Sequence, residues 1–167
     1  MIRARHRVAD RPKVTIERTF QASIEEVWAL WTTKEGLEAW WAPEGWKIAV
    51  RDLDLRPGGE FVYELTATDA EQIDFNARSG IPLTHVHHIV YTEVEPRRRL
   101  AYKDVVDFVA GVAPYGVDNL IEFEEIDAGV RMALTFGPMH SDEWTRLASL
   151  GWESLLLQLE ALLASRS

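Results

Sequence analysis

His85, His87 and His88 are the densest group of titratable side chains in this sequence, and they fall on one predicted strand. Residues two apart on a strand point the same way. Two imidazoles at that spacing could hold a metal with one further ligand, such as His140 or a carboxylate. The pattern falls short of a metal signature, and no metal is assigned. If the strand phase follows Val90 and Val94, His88 faces inward while His85 and His87 face out. Asp104 and Asp107 border a loop at 106–116, close to Tyr102. Acid–base chemistry would need paired groups with separated pKa values. A structural ion pair is the plainer use of a carboxylate, because Arg18 sits on the apolar face of the first strand and wants a partner. The sequence contains no G-x-S-x-G, no phosphate loop and no H-E-x-x-H. Whether the protein is an enzyme stays open at this level.

The aromatic residues suggest binding. Seven tryptophans occur in 167 residues, with Trp40, Trp41 and Trp46 close together. An indole offers a large apolar face and one N–H donor, which suits an amphipathic ligand. The expected ligand-binding set is Trp40, Trp41, Phe61, Tyr63, His88, Tyr102, Phe123 and Phe136, with Trp144, Ala148, Trp152 and Leu155 from a closing helix. Gly151 adds a notch between two tryptophans of that helix. It could admit a close strand or leave room for a ligand. Plain core packing is the competing use of all these residues.

The elements that must position these groups follow from periodicity. Lys13 to Phe20 alternates as a half-buried strand. Ser23 with Glu26 forms a capping box before Val27, Trp28, Leu30 and Trp31. Thr33 starts a second short helix, which Pro43 ends. Strands are predicted at 46–50, around Phe61–Leu65, at 82–94, around Leu100–Asp104, at 117–124 and at 130–136. Residues 67–80 show no clean period and read as a long loop with room for one helical turn. Ser141 caps a long amphipathic helix in which Trp144, Ala148, Trp152, Leu155, Leu159 and Leu162 form the inner stripe. The order predicts an α+β helix-grip fold. In it a curved antiparallel sheet of about seven strands wraps a long C-terminal helix, with two short helices between strands 1 and 2.

A twisted seven-stranded sheet curls. One helix, about 10 Å across, leaves part of the concave face uncovered. A cavity of roughly 300–1,000 Å³ is therefore expected between sheet and helix. The stretches RTFQASIEEVWALWT (18–32), LEAWWAPEGW (37–46), DLDLRPGGEFVYEL (52–65) and TEVEPRRRLAYKD (92–104), with GWESLLLQLEALL near the end, resemble one known superfamily. It is SRPBCC, the START-like or birch-pollen-allergen-like superfamily. The branch resembled is that of the heat-shock ATPase activator C-terminal domain, across about residues 13–165. The resemblance implies the same helix-grip fold. It leaves activity open, because the superfamily spans carriers, receptors, cyclases, hydrolases and co-chaperone domains.

Composition narrows the partners. Net charge is −9, which repels a nucleic-acid backbone. The absence of cysteine excludes disulfides and thiolate metal sites. No signal sequence, membrane span or cofactor motif is read, so the expectation is cytoplasmic and cofactor-free. Residues 1–12 are expected to be a flexible basic tail and 13–167 a single domain. Exposed sheet edges admit a homodimer. The leading expectation is binding of a small hydrophobic or amphipathic molecule in the internal cavity. The alternatives are a cyclase- or hydrolase-like enzyme using that cavity and a co-chaperone-type activator of a heat-shock ATPase.

Overall fold

In the computed structural model, which describes residues 11–107 and 109–166, the alternating segments become strands. β1 (Val14–Phe20) leads into α1 (Ile24–Thr32) and α2 (Lys34–Trp40). Then come β2 (Trp46–Leu53), β3 (Glu60–Ala67), α3 (Ala70–Ser79), β4 (Thr84–Glu95), β5 (Arg99–Val106), β6 (Tyr115–Ile126) and β7 (Gly129–Phe136), with α4 (Asp142–Ser165) closing the domain. The strands form one seven-stranded sheet in the order β1-β7-β6-β5-β4-β3-β2. Every pairing is antiparallel. The α+β helix-grip expectation holds, with both short helices between β1 and β2. Residues 1–10 of the basic segment lie outside the described residues. Arg11 lies 3.4 Å from Asp142 on α4.

The helix starts follow the capping chemistry read from the sequence. Ser23 Oγ accepts the Glu26 amide at 3.1 Å, and Ser141 Oγ accepts the Trp144 amide at 3.2 Å. Thr33 joins the two short helices. Its hydroxyl donates to the Ala29 carbonyl at 2.7 Å and accepts the Gly36 amide at 3.0 Å. A Cβ on Gly36 would stand 2.3 Å from the Ala29 carbonyl oxygen, so the corner closes only with glycine there. That tight corner sets Trp31 of α1 against Trp40 of α2, ring centroids 4.8 Å apart.

Three departures have physical causes. Residues 70–79 are a helix, not a loop. Its N-cap Asp69 makes no side-chain capping bond, and its one buried residue is Asn76. Helix α3 thus lacks the buried apolar stripe that marks a helix in sequence, although Asp69 and the left-handed Gly80 bound it. Second, the fully buried residues of α4 are Leu156, Leu159 and Leu163, of which only Leu159 belongs to the expected inner stripe. Trp144, Ala148, Trp152, Leu155 and Leu162 are only half-buried. Third, α4 is the one described helix long and apolar enough to cross a membrane by length and composition. Its buried leucines nevertheless belong to the same core as Ile16, Ile121, Met132 and Leu134. Each such leucine contributes about 1.5–3 kcal/mol of apolar burial.

Candidate functional site

The expected large cavity is absent from the centre of the trough. Trp31, Trp41 and Trp152 meet there: Trp31 stacks on Trp152 at 6.1 Å, and Trp41 meets Trp152 edge-on at 5.6 Å. Phe61 lies 5.8 Å from Trp41 and stacks on Tyr63 at 4.7 Å. What remains is an enclosed void of about 10 Å³, room for a single water at most. It lies between Trp31, Leu37 and Trp41 on the helical side and Phe61, Ile89, Tyr91, Leu100 and Tyr102 on the sheet. Curvature made the hollow, and the large rings fill it.

Two residues of this apolar lining carry buried polar groups. The Trp31 Nε1–H and the Tyr102 hydroxyl are both buried and have no hydrogen-bond partner among the described residues. Both residues line this same space. An indole N–H is a donor only, whereas a phenol donates and accepts. Leaving such groups unpaired costs about 1–3 kcal/mol each. Trp40, by contrast, is sealed in the core, its indole N–H donating to the Leu30 carbonyl at 2.7 Å.

Beside the void, the inner face of β3–β5 carries titratable groups. In register, Tyr63 pairs with His87, Ile89 with Asp104, and Tyr91 with Tyr102. Burial pushes the Tyr63 phenol well above its ordinary range; the charge of Asp104 adds to this and a hydrogen bond from Trp41 opposes it. Burial likewise raises the Tyr102 phenol, with Asp104 adding. Asp104 is partly buried, and desolvation raises its carboxyl to about 6; the Val105 backbone opposes and Asp107 adds. Burial and the neighbouring His85 hold the His87 imidazole below its ordinary value. His87 stacks on Tyr63 at 5.2 Å, and His85 lies 5.6 Å from Trp46. Trp46, His85 and His87 are half-buried while Tyr63 and Tyr102 are buried. The cluster therefore runs from a solvent-reachable imidazole edge to a closed phenolic end.

This arrangement corrects the histidine phase. His88 is exposed, and His85 and His87 share the inner face with Ile89 and Tyr91. The cause is a bulge in the β4–β5 pairing between Tyr91 and Glu93. It brings Val94 opposite Leu100 on the core side while Val90 stays outside. Counting back from Val94 across the bulge inverts the phase. No three histidine or acidic side chains among the described residues converge as a metal site. His140 is engaged elsewhere, its Nδ1 2.7 Å from the Tyr115 hydroxyl.

Of the other expected residues, Trp41, Phe61 and Tyr102 line the void, with Tyr63 and Trp152 next to its walls. Phe123 packs edge-on to Trp28 and Trp31. Phe136 is buried in the core away from this space. Trp144 and Ala148 pack against a separate cluster of Val106, Val117 and Met139. Leu155 borders the main core. Arg18 finds its carboxylate in Glu153, at 3.5 Å, so Asp104 is left without an ion pair among the described residues. Sequence reading missed Leu37, Ile89, Tyr91 and Leu100, whose types carry no signal beyond core. It underrated Trp31, whose unpaired N–H only the fold reveals. A Cβ on Gly151 would meet nothing within 4 Å, so that glycine serves no close strand approach.

Known proteins resemble this chain along most of its length. A family model described as Activator of Hsp90 ATPase homolog 1-like protein matches residues 21–164. Among solved structures, a Chromobacterium violaceum protein is 24% identical, covering 90% of this chain and 96% of its own, with TM-score 0.73. A Mycobacterium smegmatis protein is 24% identical, covering 95% of each chain, with TM-score 0.71. A Silicibacter pomeroyi protein is 21% identical, covering 93% of this chain and all of its own, with TM-score 0.73. At such identities these likenesses speak for the fold alone. No curated protein matches the sequence.

Proposed function

Since the chain belongs to the Activator of Hsp90 ATPase homolog 1-like family, within the SRPBCC superfamily, we propose that it binds a small amphipathic molecule at the tryptophan-walled void. The observation that carries this reading is the pair of buried, unpartnered groups, Trp31 Nε1–H and Tyr102 hydroxyl, on the walls of one apolar space. A ligand oxygen, carbonyl or hydroxyl, would accept from Trp31 and pair with Tyr102. Its apolar body would lie against Trp41, Phe61, Ile89 and Leu100. Pairing both groups removes a desolvation penalty of about 1–3 kcal/mol each, a gain that a purely hydrocarbon ligand could not obtain. This chemistry favours an amphipathic ligand over a wholly apolar one.

A void of about 10 Å³ is a closed form of such a site. Binding then includes opening, which lowers apparent affinity by the fraction of molecules that are open. The half-buried Trp152, packed on both Trp31 and Trp41, is the ring whose withdrawal would enlarge the space. Native mass spectrometry of gently purified protein, beside the Tyr102→Phe variant, tests the reading. The expected result is a small bound mass on the native chain that is reduced about tenfold or more in the variant. Equal occupancy in both would reject the Tyr102 contact, and an empty native chain that also fails to bind a panel of amphipathic ketones and alcohols would reject the function.

Acid–base catalysis is a second reading, favoured by one observation: Asp104, raised to about 6, shares the inner face with His87. Conversion of the captured molecule on incubation, abolished in Asp104→Asn, would move the assignment from carrier to enzyme. Activation of a heat-shock ATPase rests on the family's description, and no feature of this site favours it.

A further inference from the structure

The inner face of β3–β6 is short of positive charge. Arg99 and Lys103 are the only lysine or arginine residues of these four strands. Both serve the outer face, where Arg99 meets Glu93 at 3.2 Å and Glu122 at 3.6 Å, and Lys103 meets Asp118 at 3.9 Å. Asp104 points the other way. It shares the inner face with Leu100 and Tyr102, because alternate residues of a strand point alike. Tyr102 lines the void, and so does Ile89, the register partner of Asp104 on β4. The half-buried carboxyl therefore stands beside that space, next to a buried hydroxyl that also lacks a partner. Among the described residues no ion pair reaches it. The segment 107–114 that follows β5 adds a second carboxylate, Asp107, and no lysine or arginine. Arg146 of α4 is exposed. Burial and His85 keep the His87 imidazole below its ordinary value, so it adds no cation at neutral pH.

We infer that the ligand carries an ammonium group that pairs with Asp104, so that the class of molecule bound is a hydrophobic amine with a nearby oxygen. This rests on the reading of the tryptophan-walled void and narrows it. The ligand oxygen serves Trp31 and Tyr102. An ammonium has donors and no acceptor, and an ionised carboxylate only accepts, so the two satisfy each other. The pairing also supplies the counter-charge that a half-buried carboxylate otherwise lacks. Trp41, Phe61 and Tyr63 surround the same space, and aromatic faces attract a cation. An anionic amphiphile would instead meet Asp104 and Asp107 as like charges, which is how the site would reject fatty acids.

Calorimetric titration of the full chain with three probes of one chain length tests this: 1-amino-2-octanol, 2-octanol and 2-hydroxyoctanoate. At about pH 7.5 the amine and the carboxylate of Asp104 are both charged. The native protein is expected to bind the amino alcohol about tenfold or more tighter than 2-octanol, and the anion most weakly. Asp104→Asn should erase the gap between the first two and leave 2-octanol unchanged. Asp127→Asn removes the same charge from the exposed β6–β7 turn at the far end of the sheet, and it should preserve the gap. A gap that survives Asp104→Asn, or that Asp127→Asn closes equally, overturns the inference, because the net charge of −9 would then be attracting the amine. If 2-octanol binds, weakens in Tyr102→Phe and is matched by the amine, the void reading stands and the ammonium inference falls. If none of the three binds, both fall.

Discussion

The two ends of α4 rest on different ground. From Leu156 to Leu163 the helix is set into an apolar core, with three leucines almost fully buried. From Trp144 to Leu155 its inner residues are half-buried, resting on tryptophan rings and on the Val106–Val117–Met139 cluster. The sheet beneath changes in parallel. Toward β1 and β7 the inner face is Ile16, Met132 and Leu134. Toward β3–β5 it carries Tyr63, His87, Tyr102 and Asp104. One helix thus anchors the fold at its C-terminal end and rests more loosely, on tryptophan rings and a small apolar cluster, at its N-terminal end. Division of labour within a single element lets stability and a binding site coexist without a separate lid.

The largest test of this contrast is by truncation. Leu159→Ala should destabilise the protein by about 2–5 kcal/mol through cavity formation. Leu155→Ala, half-buried one turn earlier, should cost about 1 kcal/mol. Urea unfolding of both variants checks this, and equal losses would erase the distinction. Next comes pH. Folded Asp104 holds its proton to about 6, against 3.8 for an ordinary aspartate. Its contribution to stability is therefore full below about pH 4 and is lost as pH rises through about 6. The facing groups are Asp107, Tyr63 and Tyr102. Asp104→Asn should flatten the stability profile across that window, by about 3 kcal/mol in all. An unchanged profile would show that the carboxyl is not desolvated. The smallest effect belongs to Tyr102→Phe, which deletes an unpaired buried hydroxyl. It should be neutral or stabilising by about 1 kcal/mol, whereas a clear loss of stability would mean that the hydroxyl has a partner within the fold.

Much of the architecture was legible because local and global signals agree. Alternation gave the strands, Ser23, Thr33 and Ser141 gave the helix starts, and Phe61, Tyr63 and Tyr102 on the inner face of β3–β5 were among the expected residues. What was hidden depends on pairing or on volume. The histidine phase turned on a bulge between Tyr91 and Glu93, which only the partner strand reveals. Helix α3 escaped notice because it buries little but Asn76. Aromatic count foretold a trough lined by large rings, but not that Trp31, Trp41 and Trp152 would close on one another. Whether rings line a hollow or fill it is a matter of a few ångströms in helix position, below what periodicity encodes.

Hydrogen exchange resolved along α4 addresses the central contrast most directly. Amides at 146–152 should exchange through local opening well before those at 156–163, whose protection should approach that of the β6–β7 core. Uniform protection from one end of α4 to the other would contradict a helix anchored at one end and free to open at the other.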